Sequence, residues 1–88
     1  MFLTILFNLD WEASQRDQEE ANQLRDEGKY EDAIRKYSNA MASGSPSTSL
    51  LSARAHCLMK LNRPSAAISD CTAALALNPD SAKALRYL

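Results

Sequence analysis

The sequence predicts an all-α fold made of repeated antiparallel helix pairs, and three observations predict it. A block of residues recurs 34 positions downstream: Ala33 falls on Ala67, Ile34 on Ile68 and Ala40 on Ala74, with Ala21 on Ala55 and Leu24 on Leu58 upstream. That offset is the length of one helix–turn–helix unit, which buries its apolar face by stacking on neighbours. Apolar residues recur at i, i+3, i+4 and i+7, and no useful length of chain alternates with period two. Two glycines and three prolines are the main punctuation, and they fall between the periodic segments.

Met1–Leu9 is mostly apolar. It is far shorter than the ~20 residues that span a bilayer, and it lacks the basic lead and small-residue cleavage site of a secretory signal. Residues 1–13 therefore read as an apolar extension and helix lead-in, docking on the first helix or on a partner. Asp10 is placed to cap a first helix from Trp11 to about Glu27, stopped by Gly28. Its apolar stripe of Trp11, Ala13 or Ser14, Ala21 and Leu24 is thin. A second helix, about Tyr30 to Ala42, carries Tyr30, Ala33, Ile34, Tyr37, Ala40 and Met41 at helical spacing. Ser43 to Ser47 breaks it and supplies an N-cap for the third.

The third helix, about Thr48 to Leu61, is strongly apolar at Leu50, Leu51, Ala55, Cys57, Leu58 and Leu61. Pro64 opens the fourth, where its missing N–H does no harm; Ala67, Ile68, Cys71, Ala74 and Leu75 form its apolar face. Asn78-Pro79-Asp80 stops it, and Asp80 or Ser81 caps a last segment over 82–88. Ala33 and Ala67 mark close helix crossings that larger side chains would force apart. Turns of two or three residues make neighbours antiparallel. A plain bundle without repeats is the alternative, but it requires no fixed register of small residues.

The composition narrows function. Formal net charge is −1, which favours neither nucleic acid nor an anionic membrane. Residues 1–32 hold nine acids and three bases and residues 33–88 two acids and seven bases, so the front half is net −6 and the back half +5. Such polarity steers an acidic partner toward the C-terminal half, or simply reflects solvated faces that differ. Cys57 and Cys71 match neither a zinc spacing nor a disulfide framework and fall on apolar faces, as reduced thiols of a cytoplasmic protein do. His56 is the single histidine; Cys57 lies about 100° around the helix from it, too far for a dyad. Glu19-Glu20 and Asp26-Glu27 read as solvated faces, and no glycine-rich phosphate loop occurs. The expectation is a module with no catalysis, no cofactor and no metal.

Over residues 14–88 these features resemble the tetratricopeptide repeat (TPR) family. Repeat one is 14–47, repeat two is 48–81, and 82–88 is the first half-helix of an incomplete third. The resemblance implies two full antiparallel pairs plus the start of a third in a right-handed superhelical stack. Repeat one departs from the pattern: Asp17 and Glu20 stand where a tryptophan-like and a leucine-like residue are usual, and Ala21 replaces a glycine. In repeat two, Arg54-Ala55, the run from Lys60 to Ile68, Asp70-Cys71 and the run from Asn78 to Lys83 are similar to co-chaperones, above all Hip-like Hsc-interacting proteins.

Family members line a concave groove with the first helix of each pair. Here that implies Gln15, Gln18, Asn22 and Arg25, then Ser49, Ser52, Ala53, His56, Met59 and Lys60, then Lys83, Arg86 and Tyr87. Relatives that grip chaperone tails carry a five-residue carboxylate clamp. Asn22 and Lys83 match it, whereas Gln18, Ala53 and Tyr87 depart from it. Hip-like members bind the ATPase domain of the seventy-kilodalton chaperone instead, and that partner is the one implied here. A generic scaffold piece in a larger assembly is the competing reading. Repeat arrays usually need about three units and a polar cap, so the end at Leu85–Leu88 suggests a fragment, a truncated product or self-association there.

Overall fold

Five helices follow one another: α1 (Phe2–Asp26), α2 (Tyr30–Ser43), α3 (Thr48–Lys60), α4 (Pro64–Leu77) and α5 (Ala82–Arg86). The computed structural model describes the backbone of residues 2–86 and the side chains of residues 11–81 and 84–86. Among these residues there is no strand. Helix α1 packs on α2, α3 on α4, and α2 joins the two pairs by packing on α3. The body is elongated, 44 × 29 × 17 Å, as stacked pairs require.

The 34-residue recurrence extends to individual hydrogen bonds. Helix α1 stops where Gly28 takes φ +79°; the Gly28 N–H donates to the Arg25 carbonyl and the Lys29 N–H to that of Leu24. Helix α3 stops in the same way: Asn62 has φ +59°, its N–H donates to Met59 and the Arg63 N–H to Leu58. A left-handed residue with this bond pair satisfies carbonyls that would otherwise be orphaned, and Gly and Asn adopt that conformation most readily. Ser47 Oγ accepts from the Leu50 N–H at 3.1 Å, and 34 residues on Ser81 Oγ accepts from Ala84 at 3.3 Å. Each capping hydroxyl satisfies one free N–H of the helix it opens. Ser14 Oγ donates to the Ala40 carbonyl at 2.7 Å, and Thr48 Oγ1 to that of Ala74 at 3.4 Å. These bonds tie the first helix of each pair to the end of its partner.

The core is built mainly of small side chains. Ala21, Ala33, Tyr37, Ala40 and Cys57 are fully buried and pack with Leu50; Ala55, Ala67 and Cys71 form a second cluster with Leu58. Ile34 packs against both clusters and so joins the pairs. Each pair is also pinned at one register by an ion pair whose signs reverse between repeats. Glu20 meets Lys36 at 2.7 Å in the first; Arg54 meets Asp70 through two bonds of 2.7 Å in the second. The Arg54 guanidinium also donates to Ser38 Oγ on α2. Glu20 is thus a paired residue as well as part of a solvated face.

Three expectations need correction. Asp10 does not cap α1: the helix is already formed at Phe2, because no Gly or Pro between Phe2 and Trp11 stops it. The backbone of 2–10 is therefore part of α1 instead of a separate docked segment, and docking by its side chains lies outside the described residues. Trp11, assigned to the apolar stripe, is 58% exposed. Ile68 is 46% exposed. It occupies the register of Ile34, but α4 has no following full pair here to cover it.

Candidate partner-binding groove

The register that builds the repeats also builds a groove. Gln18 on α1, Ser52 on α3 and Arg86 on α5 lie 34 residues apart and line one cavity of about 350 Å3. Asn22 and His56 form a second row at the same spacing, and Arg25, Ser49, Ala53 and Tyr37 complete the walls. No carboxylate is among these lining residues, so Arg25 and Arg86 set the sign of the charge. A second cavity of about 290 Å3 shares Gln18 and lies between Trp11, Ser14 and Gln15 of α1, Leu50 of α3, and Ser43, Gly44, Ser45 and Ser47 at the α2–α3 connection.

The structure therefore brings Gln18, Asn22, Arg25, Ala53, His56 and Arg86 together. Lys60 and Met59, placed in the groove by the resemblance, do not line either cavity; they sit at the exposed end of α3, beyond the floor. Lys83 and Tyr87 lie outside the described residues. Tyr37 is the lining residue that the sequence reading placed only in the core. Its ring is fully buried, and its hydroxyl donates to Asn22 Oδ1 at 2.5 Å. The available signal was chemical: a phenol inside a core requires a polar partner. Burial pushes the Tyr37 hydroxyl up to about 12, so it stays protonated and keeps donating at neutral pH.

His56 stands edge-on to Tyr30, with ring centroids 6.4 Å apart. Partial burial, then the charges of Lys60 and Arg25, hold it below the ordinary imidazole value of 6.5. The unfolded chain consequently takes up the proton first. Stability is expected to fall as pH drops below about 6.5 and to level once folded His56 is also protonated. Urea unfolding between pH 7.5 and 5 should show this slope, and His56→Gln should flatten it. Glu20, lowered by its hydrogen bond and charge interaction with Lys36, loses its contribution only below about 4.5, outside that window. The Cys57 thiol is pushed up to about 11 by burial and stays neutral. Among the described residues no group of three or more His, Cys, Asp or Glu is placed to hold a metal, and no helix is long and apolar enough to cross a membrane.

No family model matches the chain. A 58 kDa phosphoprotein of Plasmodium berghei is 47% identical over 77 residues, which cover 80% of this chain and 18% of that protein. The chain thus spans less than a fifth of that relative. A solution NMR structure of the second TPR domain of the human RPAP3 protein, in complex with the HSP70 peptide SGPTIEEVD, matches with a TM-score of 0.77 and 27% identity over 92% of this chain and 65% of that one. The fold is a tetratricopeptide one: two antiparallel helix pairs and the opening helix of a third.

Proposed function

We propose that this module is a cytoplasmic co-chaperone adaptor of the Hip-like type, whose groove holds a heat-shock chaperone of the seventy-kilodalton class. One observation carries the reading: the groove's lining is cationic and neutral polar with no carboxylate, the complement of an acidic surface. The ATPase domain is favoured over the acidic C-terminal tail, because Gln18, Ala53 and Tyr87 depart from the tail clamp. Each missing hydrogen bond to a charge weakens a tail complex by about 1.5–3 kcal/mol. Tail binding is the second reading, favoured by the HSP70 peptide bound to the structurally similar domain of RPAP3.

Calorimetry with an isolated chaperone ATPase domain and with the tail peptide separates these readings. Heat with the ATPase domain alone supports the first, and heat with the peptide supports the second, in which case Lys83→Ala should weaken it. No heat with either leaves the generic scaffold. Ile68, Leu77 and Leu85 expose apolar surface at the third-repeat end, and we propose that this end self-associates when nothing else covers it. Sedimentation should show mass increasing with concentration; a monomer throughout, or a Leu77→Lys variant that associates equally, would contradict this.

A further inference from the structure

The connection between α2 and α3 carries a feature that neither packing nor the groove accounts for. Ser45 is the only Ser or Thr of the chain that a proline follows. Gly44, Ser45 and Pro46 are exposed and lie outside both helices, and a residue before proline is biased to extended backbone. Neighbouring hydroxyls are engaged: Ser43 donates to the Asn39 carbonyl at 2.8 Å, Ser47 accepts from the Leu50 N–H, and Thr48 donates to the Ala74 carbonyl. The Ser45 hydroxyl has no such bond among the described residues. The loop is nonetheless anchored. A Cβ on Gly44 would stand 2.7 Å from Ser14 Oγ, so the backbone there lies hard against α1. Ser45 consequently borders the cavity that Trp11, Gln15 and Gln18 line from α1. No acidic or basic side chain is among that cavity's lining residues, whereas amide, hydroxyl and indole donors are.

We propose that Ser45 is a phosphorylation site for a proline-directed protein kinase, and that its phosphate seats over this cavity against α1. The kinase supplies a nucleoside triphosphate. Ser45 Oγ bonds to the γ-phosphorus, the bond from that phosphorus to its bridging oxygen breaks, and the nucleoside diphosphate leaves with the electron pair. The hydroxyl proton passes to the kinase. An exposed, non-helical Ser-Pro suits such an enzyme, whose cleft takes an extended segment. The new group carries about −1.5 to −2 charge and three acceptor oxygens at neutral pH. Gln15, Gln18 and the Trp11 indole N–H supply donors along the cavity, and no lining carboxylate repels it. Gln18 also lines the groove. The consequence for binding rests on the reading that the groove takes an acidic partner: the phosphate sets like charge beside it and weakens the partner's hold.

Two of the three readouts need no partner. In the first, the protein is incubated with a kinase of the cyclin-dependent class and magnesium ATP, and tandem mass spectrometry locates the phosphate. One phosphate on Ser45 is expected, lost in Ser45→Ala and in Pro46→Ala, which change exposed residues and should keep the helical spectrum. No phosphate, a phosphate on Ser43, Ser47 or Ser49 instead, or equal labelling of Pro46→Ala would overturn the site. The second readout uses Trp11, the single tryptophan. Iodide, an anion, should quench its fluorescence about half as well after phosphorylation, with neutral acrylamide affected less. Equal iodide quenching of the two forms would overturn the seat. In the third, the phosphorylated protein should bind the isolated chaperone ATPase domain or SGPTIEEVD about two- to tenfold more weakly than the unmodified one. That difference should shrink at high salt. Equal affinities would overturn the effect on binding. No binding by either form would overturn the groove's function and this effect together, while the mass and the iodide quenching still decide the site and the seat.

Discussion

Replacing Tyr37 with alanine is expected to cost about 3–5 kcal/mol, the range for removing a large buried aromatic. The ring is fully buried among Ala21, Ala33, Ala40, Leu50 and Cys57, so the cavity is walled mainly by side chains too short to collapse into it. The same change leaves Asn22 without its phenol partner. A chain of 88 residues has a total stability of only about 4–13 kcal/mol, so the loss is a large share of it. Thermal melting followed by circular dichroism should show an early, broadened transition. Tyr37→Phe keeps the ring and loses one hydrogen bond, about 0.5–1.5 kcal/mol. If alanine and phenylalanine melted alike, the ring would not be the keystone of the first pair.

The second large effect is at Arg54. Its guanidinium meets both carboxylate oxygens of Asp70, which is 7% exposed, and donates also to Ser38. Arg54→Ala leaves that carboxylate buried without its cation, where removing one partner typically costs about 3–5 kcal/mol. A quarter of the Arg54 side chain meets water, which brings the expected loss to about 2–4 kcal/mol. Urea titration of the single variant, and of a double variant with Asp70→Leu added, decides it. The double variant should recover much of the loss, because no unpaired charge remains. A single variant within experimental error of the parent would show that the pair is mere surface decoration. Lys36→Ala, which breaks the equivalent pair of repeat one, should cost less, because 33% of the Lys36 side chain and 45% of that of Glu20 meet water.

These two sites show what the sequence makes legible and what it hides. Ala33, Ala40, Ala67 and Ala74 are readable because close crossings demand small residues at a fixed offset, and helix stops are readable because left-handed caps favour Gly28 and Asn62. The start of α1 was less so, since Asp10 carries capping chemistry at a place where the helix simply continues. The paired charges are hidden from a search for similar residues: Glu20 and Lys36 recur as Arg54 and Asp70, so the interaction repeats while the signs invert. Comparing register positions for complementarity instead of identity would have found them. The groove rows Gln18–Ser52–Arg86 and Asn22–His56 follow from the same offset. What the offset does not disclose is which way a side chain bonds, and so the bond of the Tyr37 hydroxyl to Asn22 emerges only from the three-dimensional arrangement.

The central claim is that a partner of the chaperone class occupies the concave face. Chemical-shift mapping on the 15N-labelled protein with an isolated seventy-kilodalton chaperone ATPase domain tests it most directly. The prediction is that perturbed signals cluster on Gln18, Asn22, Arg25, Ser52, Ala53 and His56, with Arg35 and Thr72 on α2 and α4 unaffected. Perturbations centred on α2 and α4, or none at saturating partner, would contradict it.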